Sequence, residues 1–113
     1  MRAEALKGHL DGMLLAVLET GPAHGYAIIE ALRAGSGGAF DLPTGTVYPA
    51  LHRLESLGLI ASSWSDGSGR KRRVYTLTAA GRKALSAQRT GWQEFAEAVQ
   101  SVMNGGRAWT PTT

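Results

Sequence analysis

Between Leu59 and Leu77 the chain leaves helical periodicity for two short strand-like runs joined by a turn. Leu59 to Ser65 carries Ile60 and Trp64, and Arg72 to Leu77 carries Val74 and Tyr75, residues that favour strands. Asp66-Gly-Ser-Gly69 between them is a turn sequence, so the pair reads as a hairpin. On either side the apolar residues recur at steps of three and four. Leu6, Leu10, Met13, Leu14, Val17 and Leu18 form a first helical stripe, which Gly21-Pro22 ends. A second helix runs from about His24 to Ala34 on Ile28, Ile29 and Leu32, and Gly35-Ser-Gly-Gly38 stops it.

The third helix follows Asp41-Leu42-Pro43 and runs to Leu57 before Gly58. Thr44 or a neighbour is expected to cap it, and Val47, Leu51 and Leu54 make its buried stripe. Pro49 lies near the first turn, where the loss of one backbone hydrogen bond costs least, and a slight kink is expected. Thr78 begins a last helix that reaches about Asn104. The order is helix, helix, helix, hairpin, long helix. The fold class is therefore mainly α with a small β-hairpin: a winged helix-turn-helix plus a long C-terminal helix. The boundaries expected are 1–77 for the winged unit, 78–104 for the last helix and 105–113 for a frayed tail.

A chain of 113 residues, 43% of them apolar, has room for one domain with one modest core. It holds no cysteine, which excludes disulfides, thiolate nucleophiles and cysteine-bound zinc. His9, His24 and His52 fall in three different elements, and no His-x-x-x-His spacing occurs. The acids read as helix-surface charges, so no converging catalytic set is visible. Neither an enzyme, nor a metal site, nor a cofactor is expected. The apolar run near the N-terminus is too short for a membrane span, and Glu4, His9 and Asp11 break it up as a secretion signal. A cytoplasmic protein with no membrane partner is the expectation.

A net charge of +3 permits nucleic-acid binding without demanding it, so the placement of charge decides. A major groove about 12 Å wide admits one helix with polar groups opposite its core stripe. The third helix offers Thr46, Tyr48, His52 and Arg53 there, although an ordinary surface helix would do the same. The hairpin adds Arg70, Lys71, Arg72 and Arg73 in one run. Four adjacent cations repel one another, and a polyanion removes that repulsion while releasing counterions. Double-stranded DNA fits best. An RNA or protein partner on the same fold is the alternative, which steep salt dependence and a preferred palindrome would exclude.

Leu85, Gln88, Trp92, Phe95, Val99 and Val102 form a coiled-coil-like seam on the last helix. One helix projecting from a small domain cannot cover such a seam, so a second copy is expected to pack on it, joined by Leu6 and Leu10. Two recognition helices about one DNA turn apart would suit a palindromic site.

Leu14-Leu-Ala-Val-Leu18, Gly21-Pro-Ala-His-Gly-Tyr26 and Gly45-Thr-Val-Tyr-Pro-Ala-Leu-His-Arg-Leu-Glu55 closely resemble the PadR family of bacterial transcriptional regulators. So do Gly58-Leu-Ile60, the basic hairpin ending in Tyr75, and Leu77-Thr-Ala-Ala-Gly81. The similarity covers roughly residues 10 to 85. It implies a homodimer, usually a repressor, with its third helix in the major groove and its wing on the adjoining backbone or minor groove. The family's DNA-facing positions fall on Thr46, Tyr48, Pro49, His52 and the wing cations. His24 and Tyr26 match a motif that opens the second helix, where phosphate contact, capping and packing are all open. With a single helix after the wing, the chain resembles the compact subfamily, so nothing tied to a larger C-terminal domain carries over. In some compact members the resemblance suggests that interface aromatics stack on flat hydrophobic effectors. Trp92 is the candidate for that role, with plain dimer core as the alternative; Trp64 is expected in the hairpin core.

Overall fold

A computed structural model describes residues 8–65 and 71–105. Leu6, Arg70, the turn at 66–69 and the tail beyond Gly105 lie outside the described residues. The elements run α1 (Leu10–Glu19), β1 (Ala23–His24), α2 (Gly25–Gly35), α3 (Thr44–Ser56), β2 (Ile60–Ser65), β3 (Arg72–Leu77) and α4 (Ala79–Met103). The four helices and the hairpin stand where the apolar periodicity put them. The third strand, β1, has no counterpart in the sequence reading. It adds to β3 on the side away from β2, giving an antiparallel sheet of order β1-β3-β2.

α1 is the hub, touching α2, α3, β3 and α4. Leu14, Leu15 and Leu18 are fully or almost fully enclosed, and around them sit Ile28 and Leu32 of α2, Val47, Leu51 and Leu54 of α3, Ile60, Tyr75 and Leu85. Each fully buried Leu or Ile stabilises the fold by about 1.5–3 kcal/mol. No polar or charged side chain is buried among the described residues.

The helix ends are set by short-range chemistry. At the end of α3, the Gly58 N–H donates to the Glu55 carbonyl at 2.9 Å and the Leu59 N–H to that of Leu54 at 3.0 Å. This paired pattern needs a left-handed residue, and Gly58 takes φ +76° without the penalty a Cβ would bring. Thr78 caps α4, its Oγ1 accepting from the Gly81 N–H at 3.0 Å. The start of α3 departs from expectation. Pro43 occupies the capping position, and no side chain bonds the first amides, Thr44 being already the first helical residue.

Two ion pairs lash α1 to its neighbours. Arg53 of α3 pairs with Asp11, and Arg89 of α4 makes two hydrogen bonds to Glu19, at 2.8 and 3.1 Å. The hydrogen bond from Arg89 holds the Glu19 carboxyl below the ordinary glutamate value, helped by the charges of Arg89 and Arg82 and opposed by desolvation. A carboxyl whose folded pKa is depressed stabilises the fold above its unfolded pKa and loses that contribution as pH falls through the folded one. Arg89→Gln is therefore expected to flatten the fall in Tm below about pH 5, checked by thermal melts across the acid range. The change will be small, because the pair is exposed and screened.

Candidate DNA interface

α3 turns Val47, Ala50, Leu51 and Leu54 into the core. Its opposite face leaves Thr44, Gly45, Pro49, His52 and Arg53 exposed and Thr46 half-buried. Pro49 donates no hydrogen bond to Gly45, yet α3 stays one helix from Thr44 to Ser56. No side chain caps its start, where Thr44 and Gly45 are exposed. Amides at a helix start accept anionic oxygens readily.

Tyr48 is more enclosed than its place among the outward residues suggested. Its ring lies against the start of α2, where a Cβ on Gly25 would come within 2.1 Å of the phenol oxygen. Burial raises the Tyr48 pKa, with a smaller push from Tyr26. Tyr26 is 68% exposed and stands edge-on to Tyr48 at 6.4 Å. The His-Gly-Tyr and Thr-Val-Tyr segments, some twenty residues apart in sequence, thus meet in space. Gly25 permits the approach of α3 to α2, and the two tyrosines bound one edge of the exposed α3 face. His24 caps α2, its Nδ1 accepting from the Ala27 N–H at 3.3 Å. Of the three roles left open for it, capping is present in the structure.

The wing cations divide by strand face. Ile60, Ser62 and Trp64 of β2 pair with Leu77, Tyr75 and Arg73 of β3 on the face that meets the core. Arg73 is tied down there: its Nε donates to Ser62 Oγ at 2.8 Å, its guanidinium lies 3.8 Å from Glu55, and it sits 5.3 Å from the Trp64 ring centroid. Ser62 in turn donates to Glu55 at 2.6 Å. Arg73 therefore pins the wing to the end of α3. Arg72 points to the other face, beside His24. Lys71 is exposed and has no side-chain partner among the described residues. Arg53 is likewise not a free cation, since Asp11 holds it.

Trp64 was expected in the hairpin core and is instead 62% exposed. It lies four residues along the strand from buried Ile60, about 13 Å towards the tip. There the sheet has run past the helices that would cover it.

On α4 the seam splits in two. Leu85 is 2% exposed and closes the protomer's own core, so it offers no uncovered surface to a second copy. Leu10 packs against the same core. Gln88 lies over Gly12, where α1 and α4 cross closely: a Cβ on Gly12 would fall 2.7 Å from its side-chain oxygen. Beyond that crossing the seam is open, with Trp92 54%, Phe95 58% and Val102 76% exposed and Val99 half-buried. Trp92 stands edge-on to His9 at 5.0 Å and 6.1 Å from Phe95. These rings edge a groove of about 700 Å³ between α1 and α4, with Met13 and Phe40 also in its wall.

Three helices, an edge strand and a hairpin whose second strand feeds a long helix are the architecture of a winged helix. The family model of the PadR-like transcriptional regulators matches residues 14–87, from α1 into the first half of α4. The chain belongs to this PadR-like family. It is 42% identical over 76 residues to a transcriptional regulator of Mycobacterium tuberculosis, covering 67% of this chain and 68% of that one. The crystal structure of a PadR family transcriptional regulator from Eggerthella lenta superposes with a TM-score of 0.79 at 32% identity, over 91% of this chain and 88% of that one. A PadR-like regulator from Bacillus cereus gives 0.80 at 25% identity, over 91% and 99%. PadR-like proteins are transcriptional regulators rather than enzymes. Among the described residues no group of three or more His, Asp or Glu could hold a metal ion, and no helix is long and apolar enough to cross a membrane.

Proposed function

We propose that this PadR-like protein is a cytoplasmic repressor that binds a palindromic operator as a homodimer. In this reading residues 1–77 form the DNA-binding unit and 78–104 the dimerisation helix. The observation that carries it is the exposed α3 face of Gly45, Pro49 and His52, with no side chain capping its start and cationic β3 alongside. α3 then lies in the major groove with Thr46 and His52 towards base edges and Tyr48 at the rim. Lys71 and Arg72 reach the adjoining phosphates. Tyr26, bare at the start of α2, reaches the backbone on the other side. Arg53 joins them only on leaving Asp11. The open half of the α4 seam packs on its counterpart in the second copy.

The groove beside Trp92 has the size of a small-molecule site, within about 300–1,000 Å³. A flat hydrophobic effector stacked on Trp92 and Phe95 would touch α1 and α4 together, and so bias the geometry of the dimer. It can regulate DNA binding only through unequal affinity for the two geometries.

Binding to operator and random duplexes across salt tests the DNA reading. A steep linear fall of log affinity with log salt and a preference for one palindrome are expected. Lys71→Ala should weaken binding about equally on all sequences and reduce the salt slope by about 1. A flat salt response with no preferred sequence would overturn it.

A further inference from the structure

His24 faces two hydrogen-bond donors with one lone pair to give. Its Nδ1 accepts from the Ala27 N–H at 3.3 Å, while its Nε2 lies 3.1 Å from Nη1 of Arg72. A neutral imidazole has one acceptor nitrogen and one N–H, and a guanidinium offers donors only. The lone pair belongs to Nδ1. Ala27 is among the first amides of α2, which have no carbonyl partner within the helix. Exposed Arg72 can turn its donors to solvent instead. In the tautomer that keeps the cap, Nε2 carries the hydrogen, and its N–H converges with those of Arg72.

The sheet fixes this meeting. His24 pairs with Val74, two residues from Arg72, so both side chains project from the same face of β3. That face is opposite the one carrying Tyr75 and Arg73. No carboxylate among the described residues is bonded to either side chain. An acceptor bearing negative charge is what both donors lack.

We infer that His24 and Arg72 form a two-donor clamp for one phosphodiester group of duplex DNA. This rests on the DNA-binding reading above and adds the site, the tautomer and the partner atom. Arg72 supplies the charge and the His24 Nε2–H the directed second bond. Because every phosphate is alike, the clamp sets how the winged unit is seated on the duplex and contributes nothing to sequence choice.

A random-sequence duplex of about 30 base pairs is a sufficient probe, since non-specific binding already uses phosphate contacts. His24→Asn keeps a side-chain acceptor for the α2 cap and loses the Nε2–H, so Tm should hold while affinity falls about tenfold. Arg72→Gln should cost at least as much. The two differ in salt: Arg72→Gln lowers the slope by about 1, and His24→Asn leaves it unchanged. The double variant should lose less than the product of the single losses, because both donors serve one group. Imidazole nitrogen NMR should show the Nε2–H tautomer in the free protein, with that proton moving on stoichiometric duplex and not on an equal concentration of inorganic phosphate. An Nδ1–H tautomer, multiplicative losses, or variants that bind like the wild type would overturn the clamp. If the wild type itself binds no duplex, the DNA-binding reading is what fails.

Discussion

Replacing Phe95 and Val102 together by aspartate is expected to give a folded monomer that binds its operator roughly 100- to 10,000-fold more weakly, the range lost when two linked binding events become one. Both side chains are more than half exposed on the outer part of α4, so neither supports the protomer's core. Leu85 and the Arg89–Glu19 pair, which hold α4 to α1, lie further back towards Thr78 and are untouched. In a dimer built on this seam each new carboxylate would be buried against apolar groups of the other copy, where a charge without a partner is strongly disfavoured. The seam of a homodimer is used twice, so four carboxylates would enter one interface. Sedimentation at micromolar protein should report half the wild-type mass, with the helical circular dichroism of the folded chain retained. Binding to a duplex with a single half-site should change far less than binding to the palindrome. A variant that stays dimeric would show that the open half of α4 is not the interface. Trp92→Ala is the contrasting change: it removes one ring from the seam and introduces no charge, so the dimer should weaken without being abolished.

The parts of this fold that could be read in the sequence are those set by local periodicity. Val47, Leu51 and Leu54 at steps of four and three place α3, and Gly58 ends it, because both signals act within a few residues. Thr78 was legible as the start of α4 for the same reason: a threonine bonds an amide three residues on. β1 was not, since two residues, Ala23 and His24, carry no alternation. They form a strand only because the free edge of β3 lies beside them. Pro43 in place of a side-chain cap on α3 was equally hidden, because Thr44 is a competent cap by type and only the chain's path makes it the first helical residue.

Within the candidate interface, residue type names the cations but not their partners. Asp11 stands 42 residues from Arg53, and Glu55 of α3 meets Arg73 of β3. Neither pairing has a sequence signature. Trp64 and Leu85 fail in opposite directions for one reason. Burial along a strand or helix ends where the neighbouring element ends, and that length is a tertiary property. Trp64 lies beyond the helices and is bare, while Leu85 lies within reach of α1 and is closed. The convergence of His24 with Arg72 is of the same kind, requiring the register of β1 on β3.

Gly81→Ala, a change that ordinarily strengthens a helix by about 1 kcal/mol, is expected here to destabilise the protein by about 1–3 kcal/mol or more. Gly81 is the third residue of α4, and a Cβ on it would lie 2.0 Å from the Leu59 carbonyl oxygen and 2.6 Å from Leu77 Cδ1. The side chain of Leu77 can give way; the Leu59 carbonyl cannot. It accepts the Thr78 N–H at 3.2 Å, while the Thr78 hydroxyl donates to the neighbouring Gly58 carbonyl at 2.7 Å. The same stretch of chain closes the end of α3 through Gly58 and Leu59. Moving it would disturb the exit of α3, the entry to β2 and the start of α4 at once. Gly35→Ala is the control, since nothing lies within 4 Å of its Cβ position and α2 should be unchanged or slightly firmer. Thermal melts at one fixed protein concentration compare them, because subunit association would otherwise shift Tm. For a domain of this size a loss of 1 kcal/mol lowers Tm by about 4–8 °C. A Gly81→Ala protein melting at or above the wild type would mean that the α3–β2 turn yields readily, and that the angle between the wing and α4 is not fixed by this contact.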